Sequence, residues 1–147
     1  MVKKKHLAIF TVIALLLLSF LAYLYFVTNE ITFSQALKPN EINYTKISVR
    51  DGNTGELRET DDVQKINSFL NKLSEEKLKK HNKNGMKGWS YSINFYIKDK
   101  NGYYNYTFPI GFSKRENLEA NLITGDYDAV NYDKVEEILR DFYNSLQ

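Results

Sequence analysis

The chain has 147 residues, with 20 Lys and Arg against 18 Asp and Glu, and no cysteine. The missing cysteine excludes disulfides, thiolate metal sites, cysteine nucleophiles and lipid attachment through a thiol. The formal charge of +2 misleads, because Lys3, Lys4 and Lys5 supply three of the basic residues; beyond Val27 stand 17 basic and 18 acidic side chains, a balance that argues against a nucleic-acid binder.

From Leu7 to Val27 the chain runs 21 residues without a charged side chain, 14 of them Leu, Ile, Phe or Val. As a helix this run reaches roughly 31 Å, the thickness of a hydrocarbon core. Each of those apolar residues favours insertion by about 0.3–0.6 kcal/mol at the helix centre, so the spacing predicts a transmembrane helix. Thr11 and Ser19 can hydrogen-bond back along it. Lysines at its start and Tyr23, Tyr25 and Phe26 near its end orient it with the N-terminus cytoplasmic. A cleaved signal peptide would need a shorter apolar core and small residues before the cut, where this chain has aromatics. The expected organisation is a cytoplasmic tail at 1–6, a signal-anchor helix at 7–27, a connector at 28–41 and an extracytoplasmic domain at 42–147.

In the connector, Phe33, Ala36 and Leu37 recur at helical spacing before Pro39. Ile47 and Val49 then alternate with Lys46, Ser48 and Arg50, which predicts a half-buried strand; a five-residue loop at Asp51–Gly55 returns it, with Val49 opposite Leu57. Asp61 with Gln64 resembles a capping box, and Val63, Ile66, Phe69, Leu70 and Leu73 form one apolar stripe, so a helix is expected to run to about Lys80.

Trp89, Tyr91, Ile93, Phe95 and Ile97 alternate with Ser90, Ser92, Asn94, Tyr96 and Lys98. Asn101-Gly102 suits a two-residue turn, which would pair Ile97 with Tyr106, Phe95 with Phe108, Ile93 with Ile110 and Tyr91 with Phe112. Pro109 cannot donate to a ladder, so its strand should be an edge or end nearby. One or two short strands are expected around Leu122-Ile123 and Tyr127–Val130, broken at Gly125. A final helix capped by Asn131 should bury Val135, Ile138, Leu139, Phe142 and Leu146. The fold class is α+β: an antiparallel sheet of two hairpins and a short strand, with two helices on one face.

No nucleophile elbow, phosphate-cradling loop or metal-ligand spacing occurs, which points to a non-catalytic module without cofactor or metal. Asp51, Asn53 and Gly55 invite a calcium reading, but Gly falls one position early for an EF-hand loop and the same residues suit a tight turn. Asp126 and Asp128 are the carboxylates a surface hydrolase would use. His81, among lysines, reads as a surface histidine. Two partner-binding candidates remain. Tyr96 and Tyr103 fall on the sheet face opposite the core, where they could bind a partner or be covered by the connector. Lys77, Lys79, Lys80, Lys83 and Lys87 lie in a basic stretch that could face lipid head groups, an anionic cell-wall polymer or another surface protein.

The segment from Ile47 to Leu78, with its Asp-Gly-Asn-Thr-Gly-Glu turn, Thr60-Asp61-Asp62 and the Ile66, Phe69, Leu70, Leu73 stripe, resembles small extracytoplasmic domains of unknown function found on Gram-positive cell-surface proteins and lipoproteins. The resemblance implies a surface location and no catalytic residues. This chain lacks the lipobox cysteine of many such proteins.

Overall fold

The computed structural model describes residues 2–28, 30–80, 88–115, 118 and 122–146, with side chains described over 9–24 of the first segment. It divides into two compact units, Met1–Glu30 and Ile31–Gln147.

The first unit is the helix α1, Val2–Thr28. Within it Ser19 Oγ donates to Leu15 O at 2.9 Å, the back-bond expected of a hydroxyl in apolar helix. Large apolar side chains from Ile9 to Leu24 are exposed, Phe10 by 72%. No helix among the described residues is long and apolar enough to cross a membrane.

The second unit holds strands β1 (Glu30–Thr32), β2 (Tyr44–Asp51), β3 (Leu57–Thr60), β4 (Lys77–Lys80), β5 (Tyr91–Ile97), β6 (Tyr103–Phe108), β7 (Gly111–Arg115) and β8 (Gly125–Ala129). Its helices are α2 (Phe33–Leu37), α3 (Val63–Ser74) and α4 (Tyr132–Ser145). The α+β class holds, with a larger sheet than expected: eight strands in the order β1-β4-β8-β7-β6-β5-β2-β3, antiparallel.

One face of this sheet carries the core. Ile47, Val49, Ile93, Phe95, Tyr104, Tyr106 and Phe108 are at most 0% exposed there. Over them pack Ile66, Phe69, Leu70 and Leu73 of α3 and Val135, Ile138, Leu139, Phe142 and Tyr143 of α4, the stripes that the 3.6-residue period demands. Phe69 stacks on Phe142 with ring centroids 3.8 Å apart and reaches Phe95 at 6.5 Å.

The short connector helix proves to be part of this core. Thr32 and Gln35 form a reciprocal capping box, and Phe33 packs edge-on against Tyr106 at 5.1 Å and Phe112 at 6.0 Å. Segment 31–37 therefore belongs to the inner layer of the domain and does not cover the outer tyrosines.

Several sequence expectations shift by a few residues. The N-cap of α3 is Asp62, whose Oδ1 accepts from Gln64 N at 2.8 Å and Lys65 N at 3.3 Å, so Asp61 is not the cap. Val63 lies outside the stripe and is exposed. α3 ends at Ser74, and Lys77–Lys80, expected in its last turn, is strand β4. Leu78 is the reason: it is fully buried and pairs with Ala129, so the segment contributes more as a strand than as one further helical turn.

The β2–β3 loop closes one residue later than expected. Gly55 takes the left-handed conformation at φ +74°, and Asp51 Oδ1 accepts from Asn53 N and Thr54 N. This puts Val49 opposite Arg58 and leaves Leu57 exposed. Arg58 turns toward the core face, where its guanidinium lies 4.3 Å from the Tyr143 ring centroid and donates to the Tyr143 and Leu146 carbonyls. A cation at the C-terminal end of α4 offsets the partial negative charge of those carbonyls.

The β5–β6 reversal comes earlier than Asn101-Gly102. Asp99 adopts φ +57° and Lys100 N donates to Ile97 O, so Phe95 pairs with Tyr104, Ile93 with Tyr106 and Tyr91 with Phe108. The displacement is an even number of residues, which keeps every side chain on its expected face. β6 stops at Phe108, before a cis Phe108-Pro109 bond, in keeping with a strand that ends near Pro109, but the chain then doubles back as β7, so Ile110 and Phe112 do not pair with β5 as expected. Gly125 starts β8 rather than breaking it. Tyr44 faces the core, 4% exposed, with its hydroxyl donating to Leu37 O.

Tyr106 combines complete burial with a hydroxyl that has no hydrogen-bond partner among the described residues. Burial pushes that hydroxyl's pKa far upward. Because an unsatisfied buried hydroxyl costs about 1–3 kcal/mol, Tyr106→Phe is expected to leave stability unchanged or raise it by about 1 kcal/mol. Thermal melting of the full chain in detergent checks this; a lowered melting temperature would reveal a partner for the hydroxyl.

Candidate binding face

Lys46, Ser48 and Arg50 of β2, the even-numbered residues of β5 and the odd-numbered residues of β6 and β7 lie on the face away from the helices; the register irregularity between Tyr44 and Lys46 turns Tyr44 to the core. Register aligns them in rows that cross the strands: Lys46, Tyr96, Tyr103 and the position of Arg115; then Ser48, Asn94, Asn105 and Ser113; then Arg50, Ser92, Thr107 and Gly111. Helices α2, α3 and α4 all pack on the other face.

The middle row is a hydrogen-bonded network. Asn105 Nδ2 donates to Asn94 Oδ1 at 2.8 Å, Ser92 Oγ at 2.9 Å and Ile93 O at 3.2 Å. Its Oδ1 accepts from Thr107 Oγ1 at 2.7 Å and Ser113 Oγ at 3.5 Å, while Asn94 Nδ2 donates to Ser48 Oγ at 3.1 Å. Ser48 and Asn105 are buried, at 1% and 6% exposure, and Ser92, Asn94, Thr107 and Ser113 stand half-exposed around them. A buried polar group that is fully paired costs little and holds its neighbours in one arrangement.

Beside this network lie the two predicted tyrosines. Tyr96 and Tyr103 are cross-strand partners, half-buried, with centroids 5.3 Å apart and planes inclined by 49°. Lys46 Nζ sits 5.3 Å from the Tyr96 centroid and 2.8 Å from Glu59 Oε2, and that hydrogen bond raises the lysine's pKa. Glu59 thereby neutralises Lys46. Arg50 is exposed, donates to Gly55 O at 2.8 Å and has no ion pair among the described residues.

Lys79 and Lys80, of the predicted lysines, do not join this site. Lys79 and Lys80 are on β4, with β8 and β7 between it and β6, so three strand spacings of about 4.8 Å separate it from the strand of Tyr103. Lys79 stands opposite Asp128 in register, an arrangement that suits charge pairing. Lys83, Lys87 and His81 lie outside the described residues.

The alternative chemistries find little geometry. Asp126 is exposed and Asp128 half-buried on β8, and the loop carboxylate of Asp51 is engaged by backbone amides. Among the described residues no three His, Asp or Glu side chains converge as a metal site.

Sequence reasoning missed the network of Ser48, Asn94, Asn105, Thr107 and Ser113. Its signal was present: outward positions of four strands carry small amides and hydroxyls where a merely solvated face would carry Lys and Glu. Only the register shows that they meet. No family, curated protein or solved structure matches the chain.

Proposed function

We propose that this is a single-pass surface protein, anchored by α1 and carrying outside the membrane a non-catalytic binding or accessory module of the small Gram-positive extracytoplasmic type that its 47–78 segment resembles. The observation that carries the binding role is the outer sheet face: paired Tyr96 and Tyr103 beside a fixed polar network, on the side that the helices of the domain leave open. The anchor rests on the charge-free run Leu7–Val27 behind Lys3–Lys5 and on the exposed apolar side chains of α1.

Because the chain has no native cysteine, topology can be read with single substitutions. Thr54→Cys is expected to react with a membrane-impermeant maleimide in intact bacterial cells, and Lys4→Cys only after permeabilisation. The reverse pattern would falsify the orientation. For the binding role, a photocrosslinking amino acid at position 103 is expected to capture one dominant surface component, whereas the same group at Lys72, on α3, captures none. Equal capture from both positions removes the outer face as the contact surface.

A further inference from the structure

We infer that the outer face of the sheet takes a linear glycan strand bearing acidic groups at intervals. This rests on the binding-module reading above and names its partner.

The chemistry of the face selects a sugar. A pyranose offers a patch of C–H groups ringed by hydroxyls. Tyr96 and Tyr103 present two adjoining aromatic surfaces, 5.3 Å between centroids, that can cover such a patch at low entropic cost. The neighbouring rows supply Ser92, Asn94, Thr107 and Ser113, half-exposed groups that both donate and accept hydrogen bonds. None of them is charged, so a hydroxyl-rich ligand need not displace a strongly held hydration shell. Asn105 fixes these groups from beneath through five hydrogen-bonded partners, which lowers the ordering cost of binding. The rows cross β2, β5, β6 and β7 at a strand repeat of about 4.8 Å, which suits a polymer lying across the strands.

Charge complementarity selects an acidic glycan. Lys46 is neutralised by Glu59, leaving Arg50, among the side chains described, as the exposed cation at the border of the network. One bidentate-capable guanidinium suits a carboxylate or phosphate substituent spaced along a neutral chain. A dense polyanion would call for several free cations, and an uncharged glycan for none.

The full chain in detergent micelles is tested against immobilised polygalacturonate, hyaluronate and alginate, with dextran as a sugar without acid and poly-L-glutamate as acid without sugar. At least one acidic polysaccharide is expected to bind tenfold or more tightly than both controls. Tyr103→Ala and Arg50→Gln should each weaken that binding about tenfold with an unchanged melting temperature, while Lys72→Gln on α3 leaves it intact. Failure of all three acidic polysaccharides, equal binding to poly-L-glutamate, or insensitivity to both variants overturns the inference. If crosslinking from position 103 then captures a polypeptide, the face keeps its binding role and only the glycan assignment falls; if it captures nothing, both fall.

Discussion

Phe69→Ala is expected to cost the domain about 3–5 kcal/mol, the range for removing a fully buried aromatic ring. Phe69 is 2% exposed and joins three layers of contact: its ring stacks on Phe142 of α4 at 3.8 Å and faces Phe95 of β5 at 6.5 Å, while its backbone belongs to α3. Alanine there removes the contact between the two helices and leaves a cavity between rings too rigid to collapse into it. Denaturant unfolding of the full chain in detergent, followed by the fluorescence of Trp89, measures the loss. A cost under about 1.5 kcal/mol would mean that the helix layer does not depend on this stack. Phe69→Leu, which keeps most of the volume, should cost clearly less.

Gly111→Ala is expected to cost about 3 kcal/mol or more, and Gly55→Ala only about 1–2 kcal/mol, although both glycines sit at positive φ. Gly55 has φ +74° in an open loop, with nothing within 4 Å of where a Cβ would stand. Only the left-handed penalty applies there. Gly111, at φ +134°, begins β7 directly against β8, and a Cβ would lie 2.3 Å from Gly125 O and 2.9 Å from Asp126 Cα and Tyr127 N. Those are backbone atoms that cannot rotate away, so the β7–β8 pairing must open. Melting temperatures rank the two variants, and faster amide exchange in β7 and β8 for Gly111→Ala alone locates the damage. Equal effects would show that the conformational penalty dominates and the close approach does not.

The parts of the fold legible in sequence are those encoded by local periodicity. The stripes Ile66, Phe69, Leu70, Leu73 and Val135, Ile138, Leu139, Phe142 could be read directly, because a helix needs only its own neighbours to define its buried face. Alternation along Tyr91–Ile97 likewise placed Ile93 and Phe95 inward and Tyr96 outward. The register was less secure. Asn101-Gly102 looked like the turn, but the chain reverses around Asp99, and no local signal distinguishes two turns that preserve the same parity. β4 was hidden for a different reason: a four-residue strand with one buried residue, Leu78, carries almost no periodicity, and its lysines equally suit the end of a helix.

The site divides in the same way. Tyr96 and Tyr103 were visible because strand parity alone puts them outside, and the structure places them as direct cross-strand partners. Lys79 and Lys80 looked like part of one basic surface from proximity in sequence, yet they pair at the far side of the sheet with β8.

By itself, the amino-acid sequence determined the charge-free run Leu7–Val27, the absence of thiol chemistry, the α+β class and the inward face of each long element, since composition and periodicity are local properties. Tertiary structure alone decided that Phe33, Ala36 and Leu37 belong to the core, that Lys77–Lys80 is a strand, and that Ser48, Asn94, Asn105 and Ser113 form one row beside the tyrosines. Those outcomes depend on which distant strands become neighbours. That choice is made by the summed burial of the whole sheet, a quantity no single segment contains.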